Sequence, residues 1–257
     1  MNALVTPIIH KAAGADGPAI LLIHGFGADR LIWLANQQDL AAAGRVYALD
    51  LPGHGETPRA GAGRLDDLVA AVARALDAAA IAPVHVVAHS LGAAVAIALA
   101  ARRPDLVRSL ALIAAAGLGR GVDEGFLLDY PRAQSPGETE TLLRRLVSRP
   151  RLINRFMVAR VQEQLNVPGA REGLIAIAED LKRIDAILAA PLQAVAASAL
   201  PRLAIWGEMD AVVPLDRARL ARLGAESLIL ADAAHLPHIE APRAVNERLL
   251  TWLSALR

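Results

Sequence analysis

The chain has 257 residues and no cysteine, which excludes disulfides, thiolate catalysis and Cys-ligated metals. Its 27 basic residues nearly balance 26 acidic ones, an argument against a nucleic-acid partner. Hydrophobic residues make up 54% and aromatics only 3%, so a large core is affordable but must be filled by Ala, Leu, Val and Ile.

The opening MNALVTPIIHKAAG has no basic leader and no long apolar stretch, which predicts no signal peptide and leaves room for one short strand, VTPIIH at 5–10. The most apolar helix candidates are interrupted by charge within about 15 residues, short of the roughly 20 that a membrane span needs. The expectation is a cytoplasmic protein without membrane association. Strand-like runs then recur at AILLIH (19–24), RVYALD (45–50), VHVVAH (84–89), SLALIA (109–114), RLAIWG (202–207) and SLILAD (227–232). They are continuously apolar, as strands of a parallel sheet covered on both faces should be. Helical patterns such as LDDLVAAVARALDAAA (65–80) and AAVAIALAARRP (93–104) separate them, which predicts βαβ units with right-handed crossovers. The rhythm breaks after LIAAAGLG. Residues 121–198 hold no convincing strand and read as several helices, including ETLLRRLVSRP and LIAIAEDLKRIDAIL. The predicted organisation is an α/β core from residues 1–118 and 199–257, a mostly parallel sheet with helices on both faces. A helical cap, residues 119–198, is inserted between two strands.

Chemistry concentrates where strands end. In VVAHSLGAAV (86–95), Ser90 stands between a strand and a helix. Such a turn exposes the hydroxyl above the carboxyl end of the sheet and needs small neighbours, here Ala88 and Gly92. Ala88 departs from the usual G-x-S-x-G, and a serine at this junction also suits a helix N-cap; on this stretch alone the two readings are level. Gly25 and Gly27 of HGFG let the backbone turn sharply after the first strong strand. The N–H groups of Phe26 and Leu91, the latter at a helix N-terminus, form a candidate two-donor oxyanion hole. Asp210 follows RLAIWG and His235 follows SLILAD, both on loops at the sheet edge where open α/β sheets bind ligands. The order Ser, Asp, His matches one of the known triad arrangements. His235 then moves the serine proton while Asp210 fixes its tautomer.

Other residues read as support. His24 is expected to hydrogen-bond beneath the oxyanion loop. His89 is expected to point away from Ser90 and line a pocket wall. His238 is expected to pair with Glu240 or a backbone carbonyl. Asp50 is expected to hold the following loop by accepting backbone hydrogen bonds, and His54 to be structural. No H-E-x-x-H and no Gly-rich phosphate loop occurs, so neither a metal nor a bound cofactor is expected. Arg144, Arg145, Arg149, Arg151, Arg155 and Arg160 read as a solvated helical face in preference to a seat for an anionic acyl acceptor such as coenzyme A.

As an ordered set, HGFG (24–27), DLPGHG (50–55), AHSLG (88–92), WGEMD (206–210) and AHLPHIEAP (234–242) resemble the α/β-hydrolase superfamily. The resemblance implies Ser90 as nucleophile, Asp210 as acid, His235 as base, Phe26 and Leu91 as oxyanion donors, and residues 121–198 as the family's cap. A serine nucleophile speaks against the dehalogenase branch, which carries Asp there. FGADRLIWLANQQDLAAAGRVYALDLPGHGET and LALIAAAGLGRGVDEGFL are similar to the hydrolase-like C-terminal domain of acetyltransferase subunits of acetoin dehydrogenase complexes. A lipoyl domain usually precedes it in those proteins; the expectation here is the hydrolase-like domain without it. The implied function is a serine hydrolase acting on a small or medium carboxylic ester or thioester. Acyl transfer to a thiol or alcohol, carbon–carbon bond hydrolysis and a non-catalytic docking role in a multienzyme complex are the alternatives. The expected partner is a small-molecule substrate, with homo-oligomerisation or association with such a complex left open.

Overall fold

A computed structural model of the chain describes residues 6–57 and 63–256. Its seven strands are β1 (Ile9–Ala13), β2 (Ala19–Ile23), β3 (Arg45–Leu49), β4 (Val84–His89), β5 (Val107–Ile113), β6 (Arg202–Gly207) and β7 (Glu226–Leu230), in the spatial order β1-β3-β2-β4-β5-β6-β7. Only β1 is antiparallel to its neighbour; every other pairing is parallel. The apolar runs explain the order. β2 and β4 are buried at every position and sit centrally, whereas β7, at an edge, is exposed or half-buried throughout.

The strand expected at 5–10 instead begins at Ile9, and Val5 lies outside the described residues. Pro7 has no N–H to give a ladder, so pairing starts beyond it. The helices are α1 (Gln37–Leu40), α2 (Leu65–Ala79), α3 (Leu91–Arg102), α4 (Glu124–Asp129), α5 (Pro136–Arg144), α6 (Arg155–Leu165), α7 (Ala170–Leu181), α8 (Ile184–Ala197), α9 (Arg217–Leu223), α10 (Pro237–Glu240) and α11 (Pro242–Ser254). Those flanking the sheet form two sets: α2, α3, α8 and α9 contact one another in turn, and α1 and α10 pack on α11.

The helices α4 to α8 enter between β5 and β6 and include the inserted cap region. Two boundaries differ from expectation. The helix read over ETLLRRLVSRP starts earlier, because Ser135 and Glu138 form a capping box around Pro136. The single helical run over 174–188 breaks between α7 and α8, although no Gly or Pro marks the place. Leu181 and Ile184 are both buried, and the chain turns there so that α8 packs along core helices α3 and α9. Tertiary packing overrides local helix propensity at this point.

Candidate active site

Ser90 directly follows β4 with φ +51° and ψ −114°, a conformation that non-glycine residues rarely adopt. The surroundings hold it there. Its N–H donates to Ile113 O (2.9 Å), and its carbonyl accepts from Ala93, Ala94 and Ala116. Its side chain makes no helix-capping bond, so the N-cap reading fails; the hydroxyl instead lies 3.1 Å from His235 Nε2. Gly92 is where the turn admits no side chain: a Cβ there would stand 2.4 Å from His24 O and 2.6 Å from Ile23 O. Ala88 is fully buried, paired with Ile23 on one side and Leu112 on the other.

His235 and Asp210 arrive from the loops after β7 and β6. His235 Nδ1–H donates to Asp210 Oδ2 at 2.8 Å, while Asp210 Oδ1 accepts the N–H groups of Val212 (2.9 Å) and Val213 (2.8 Å). This leaves the Nε2 lone pair directed at the serine hydroxyl. Ser90, Asp210 and His235 are only 7%, 5% and 3% exposed, so their interactions act with little solvent screening.

His89 lines a cavity together with Ser90 and His235, and its Nε2–H donates to the His235 carbonyl at 2.9 Å, fixing the backbone of that residue. His238 departs from expectation: neither ring nitrogen has a hydrogen-bond partner, and its ring lies 4.6 Å from Trp33 and 4.8 Å from His89. Burial, reinforced by nearby His235, lowers its pKa to about 3. The partner once expected for it, Glu240, instead accepts the Ala234 N–H and both the N–H and hydroxyl of Ser148, tying the cap to the loop that carries His235. Burial also holds His89 well below the usual histidine range, helped by His235 and His238.

The oxyanion loop follows β2. His24 is fully buried, donating from Nδ1 to Gly25 O (2.8 Å) and accepting at Nε2 from Leu51 N–H (2.9 Å). Burial keeps it neutral by lowering its pKa. Gly25 presses on the serine turn so closely that a Cβ would stand 2.6 Å from His89 Nδ1 and 3.1 Å from Ser90 Cβ. The N–H groups of Phe26 and Leu91 have no acceptor among the described residues. Gly27 gives its carbonyl to Tyr130 of the cap, whose hydroxyl donates at 2.7 Å. Asp50 accepts from the backbone of Arg30 (2.7 Å) and Glu56 (3.0 Å) and from the Arg30 guanidinium, joining the loops after β2 and β3. Burial raises its pKa, but these donors outweigh it and the net shift is downward. His54 is buried with Nδ1 3.2 Å from Pro52 O.

Ser90 and His235 open into a cavity of about 470 Å³ between core and cap. Its walls are mainly apolar, among them Val122, Phe126, Leu127, Leu143, Val161 and Ile239. The polar exception is a cluster that sequence reasoning missed. Asp29 Oδ2 accepts from Arg160 Nε (3.1 Å), Arg160 Nη2 (3.0 Å) and Gln164 Nε2 (2.6 Å), and all three residues line the cavity. Arg160 thus stays exposed, as expected of a solvated face, but its guanidinium also pairs with Asp29 at the cavity. The other five arginines of that group converge on no common seat: Arg144 pairs with Glu140, Arg145 with Asp123, Arg149 with the Glu240 carbonyl, Arg151 is exposed, and Arg155 lies over the Phe156 ring. Among the described residues, no group of three His, Cys, Asp or Glu side chains is arranged to hold a metal ion, and no helix is long and apolar enough to cross a membrane.

The model of the alpha/beta hydrolase family matches residues 20–248. The chain is 37% identical over 249 residues to the dihydrolipoyllysine-residue acetyltransferase component of an acetoin cleaving system from Pseudomonas putida, covering 95% of this chain but 65% of that protein. It is 28% identical over 260 residues to a pimeloyl-[acyl-carrier protein] methyl ester esterase from Chromobacterium violaceum, covering 92% of this chain and 96% of the esterase. In fold it matches a meta-cleavage product hydrolase from Pseudomonas fluorescens with a TM-score of 0.85 at 23% identity, over 100% of this chain and 98% of that one. By its sheet, its inserted cap and this match along most of its length, the chain belongs to the alpha/beta hydrolase family.

Proposed function

We propose that the protein is a serine hydrolase that cleaves a neutral, mainly apolar carboxylic ester or thioester through an acyl-enzyme. The observation that carries this reading is the unbroken chain from Ser90 Oγ to His235 (3.1 Å) and on to Asp210 (2.8 Å), opening into an apolar cavity. His235 Nε2 takes the Ser90 proton as Oγ attacks the carbonyl carbon. The oxygen that gains charge is received by the Phe26 and Leu91 N–H groups. Asp210 holds the imidazole in the required tautomer and stabilises it once it is charged. Collapse of the intermediate expels the alcohol or thiol, which leaves with the proton from His235. Water, deprotonated by His235, then attacks the acyl-serine and releases the acid. The inserted helices cover the acyl chain and keep bulk water from it. Turnover of chromogenic esters, with covalent labelling of Ser90 by a fluorophosphonate, is the expected result. A folded protein that neither turns over esters nor is labelled removes the reading.

A second reading is carbon–carbon bond hydrolysis, the chemistry of the meta-cleavage hydrolases, and the solved structures favour it over simple ester cleavage. The same triad serves, but the leaving group is a carbanion that needs an electrophilic partner. In this cavity Arg160 is already held by Asp29, which favours the ester. A diketone turned over with a higher kcat/KM than the matched ester would reverse that order. The acetoin-system relative supports acyl transfer to a thiol, with association with a dehydrogenase complex. A thiol acceptor that diverts the acyl group from water would establish it.

A further inference from the structure

The cavity that Ser90 lines also carries a positively and a negatively charged side chain in contact. Arg160 projects from α6 and Asp29 from the loop after β2, 131 positions apart in sequence. The Asp29 side chain is 7% exposed and that of Arg160 is 43% exposed. Asp29 Oδ1 accepts the Leu31 N–H at 2.9 Å, and Oδ2 takes both Arg160 donors and Gln164. Every strong contact of this carboxylate is thus a donor fixed by a helix or a turn. The remaining charge close to Arg160 is Glu163, 3.9 Å away and 71% exposed, on the solvent side. Nearby Tyr130 is committed to the Gly27 carbonyl; burial, and secondarily Asp29, raise its pKa, so it stays a neutral donor.

We infer that Asp29 is a specificity-determining residue: by holding Arg160 it leaves the cap wall electrically neutral and bars acyl groups that end in a carboxylate. Arg160 is the one arginine or lysine in the lining, so an anionic chain end would have to draw its charge-based affinity here from it. To reach it, the anion must either lie beside the Asp29 carboxylate or displace it. The first places a second negative charge against the nearly buried Asp29 carboxylate. The second strands a buried carboxylate without its partner. A methyl-terminated chain meets neither obstacle and covers the apolar wall. Selectivity then comes from a repulsive element and not from a tighter fit to the favoured substrate. This rests on the hydrolase reading of the same cavity.

The test compares nitrophenyl butyrate, hexanoate and octanoate with the half-esters of succinate, adipate and suberate, reading the kcat/KM ratio of carboxylate-ended to methyl-ended substrate. The wild type should favour the methyl-ended ester at every length. Asp29→Asn keeps the shape and the acceptor for Leu31 N–H while freeing Arg160, and should raise the ratio about tenfold or more at the length that reaches the guanidinium. Arg160→Gln leaves Asp29 unbalanced and should lower the ratio. The double variant should return close to the wild-type value. If the pair only fastens cap to core, each variant changes both substrates alike and the ratio does not move, which overturns the inference. Arg160→Gln alone still decides if Asp29→Asn does not fold. Binding of hexanamide against adipate monoamide, read as a shift in Tm, measures the same preference without turnover. A preference for hexanamide with no ester hydrolysis would remove the hydrolase reading and leave the inference standing. Hydrolysis with an unmoved ratio would do the reverse.

Discussion

The corner that holds Ser90, His235 and Asp210 and the cap meet at one cavity but are assembled by different rules. In the corner, each of these three residues sits within a few positions of a strand end, and much of what holds it is local backbone: Asp210 is fixed by the N–H groups of Val212 and Val213. The cap is fastened by side chains that meet only in the folded state. Tyr130 reaches Gly27 across 103 positions, Ser148 reaches Glu240 across 92, and Arg160 reaches Asp29 across 131. The comparison teaches that strand ends and local backbone build the strained Ser90 corner, while long-range polar contacts fasten what lies over it.

The largest expected effect that would sharpen this division comes from the corner. Asp210→Asn should lower kcat/KM on a chromogenic ester by roughly 10⁴-fold with little change in Tm, because the imidazole is left in the wrong tautomer. A loss shared equally between Tm and activity would make Asp210 structural. Gly92→Ala comes next. Its methyl would meet two backbone carbonyl oxygens, so the turn must shift, at a cost of about 1–3 kcal/mol in chemical denaturation and with loss of turnover. Unchanged stability and activity would show that the turn is looser than its geometry.

Behind the corner, His238 makes stability depend on pH. The unfolded chain takes up this proton near 6.5, whereas the folded protein resists it until about 3. Stability from this residue is therefore complete above about pH 6.5 and falls as pH drops toward about 3, by up to about 1.4 kcal/mol per pH unit. His238→Phe, which keeps a ring against Trp33, should flatten the fall in Tm between neutral and acid pH. An identical slope would assign the acid sensitivity elsewhere. The smallest effect is on the cap side. Tyr130→Phe removes one buried hydrogen bond and should cost about 1 kcal/mol, with a change in kcat/KM of under about tenfold. A collapse of activity there would mean that the cap, and not the corner alone, shapes the oxyanion loop.

The same division decides what could be read from the sequence. The parallel sheet, the inserted helices, and Ser90, Asp210 and His235 as neighbours at one sheet edge were legible, because each announces itself in a short segment beside an apolar run. The break between α7 and α8 was not, since it depends on where Leu181 and Ile184 find cover. His238 was expected to seek a polar partner, but Trp33 and His89, both distant in sequence, enclose it in rings. Asp29 did carry a faint signal, an N-cap type of residue two positions after HGFG, where it caps a short 3₁₀ turn over Arg30–Trp33. Its link to Arg160 had none, because a helical face in isolation looks solvated whether or not another element folds over it.

The central claim is that Ser90 is the nucleophile of an acyl-enzyme. It is tested most directly by treating the folded protein with a fluorophosphonate and locating the adduct by mass spectrometry, with Ser90→Ala as the control. A single adduct on Ser90, absent from the variant and accompanied by loss of ester turnover, is the predicted result. A folded protein that stays unlabelled, or one labelled elsewhere while turnover persists in Ser90→Ala, would contradict the account.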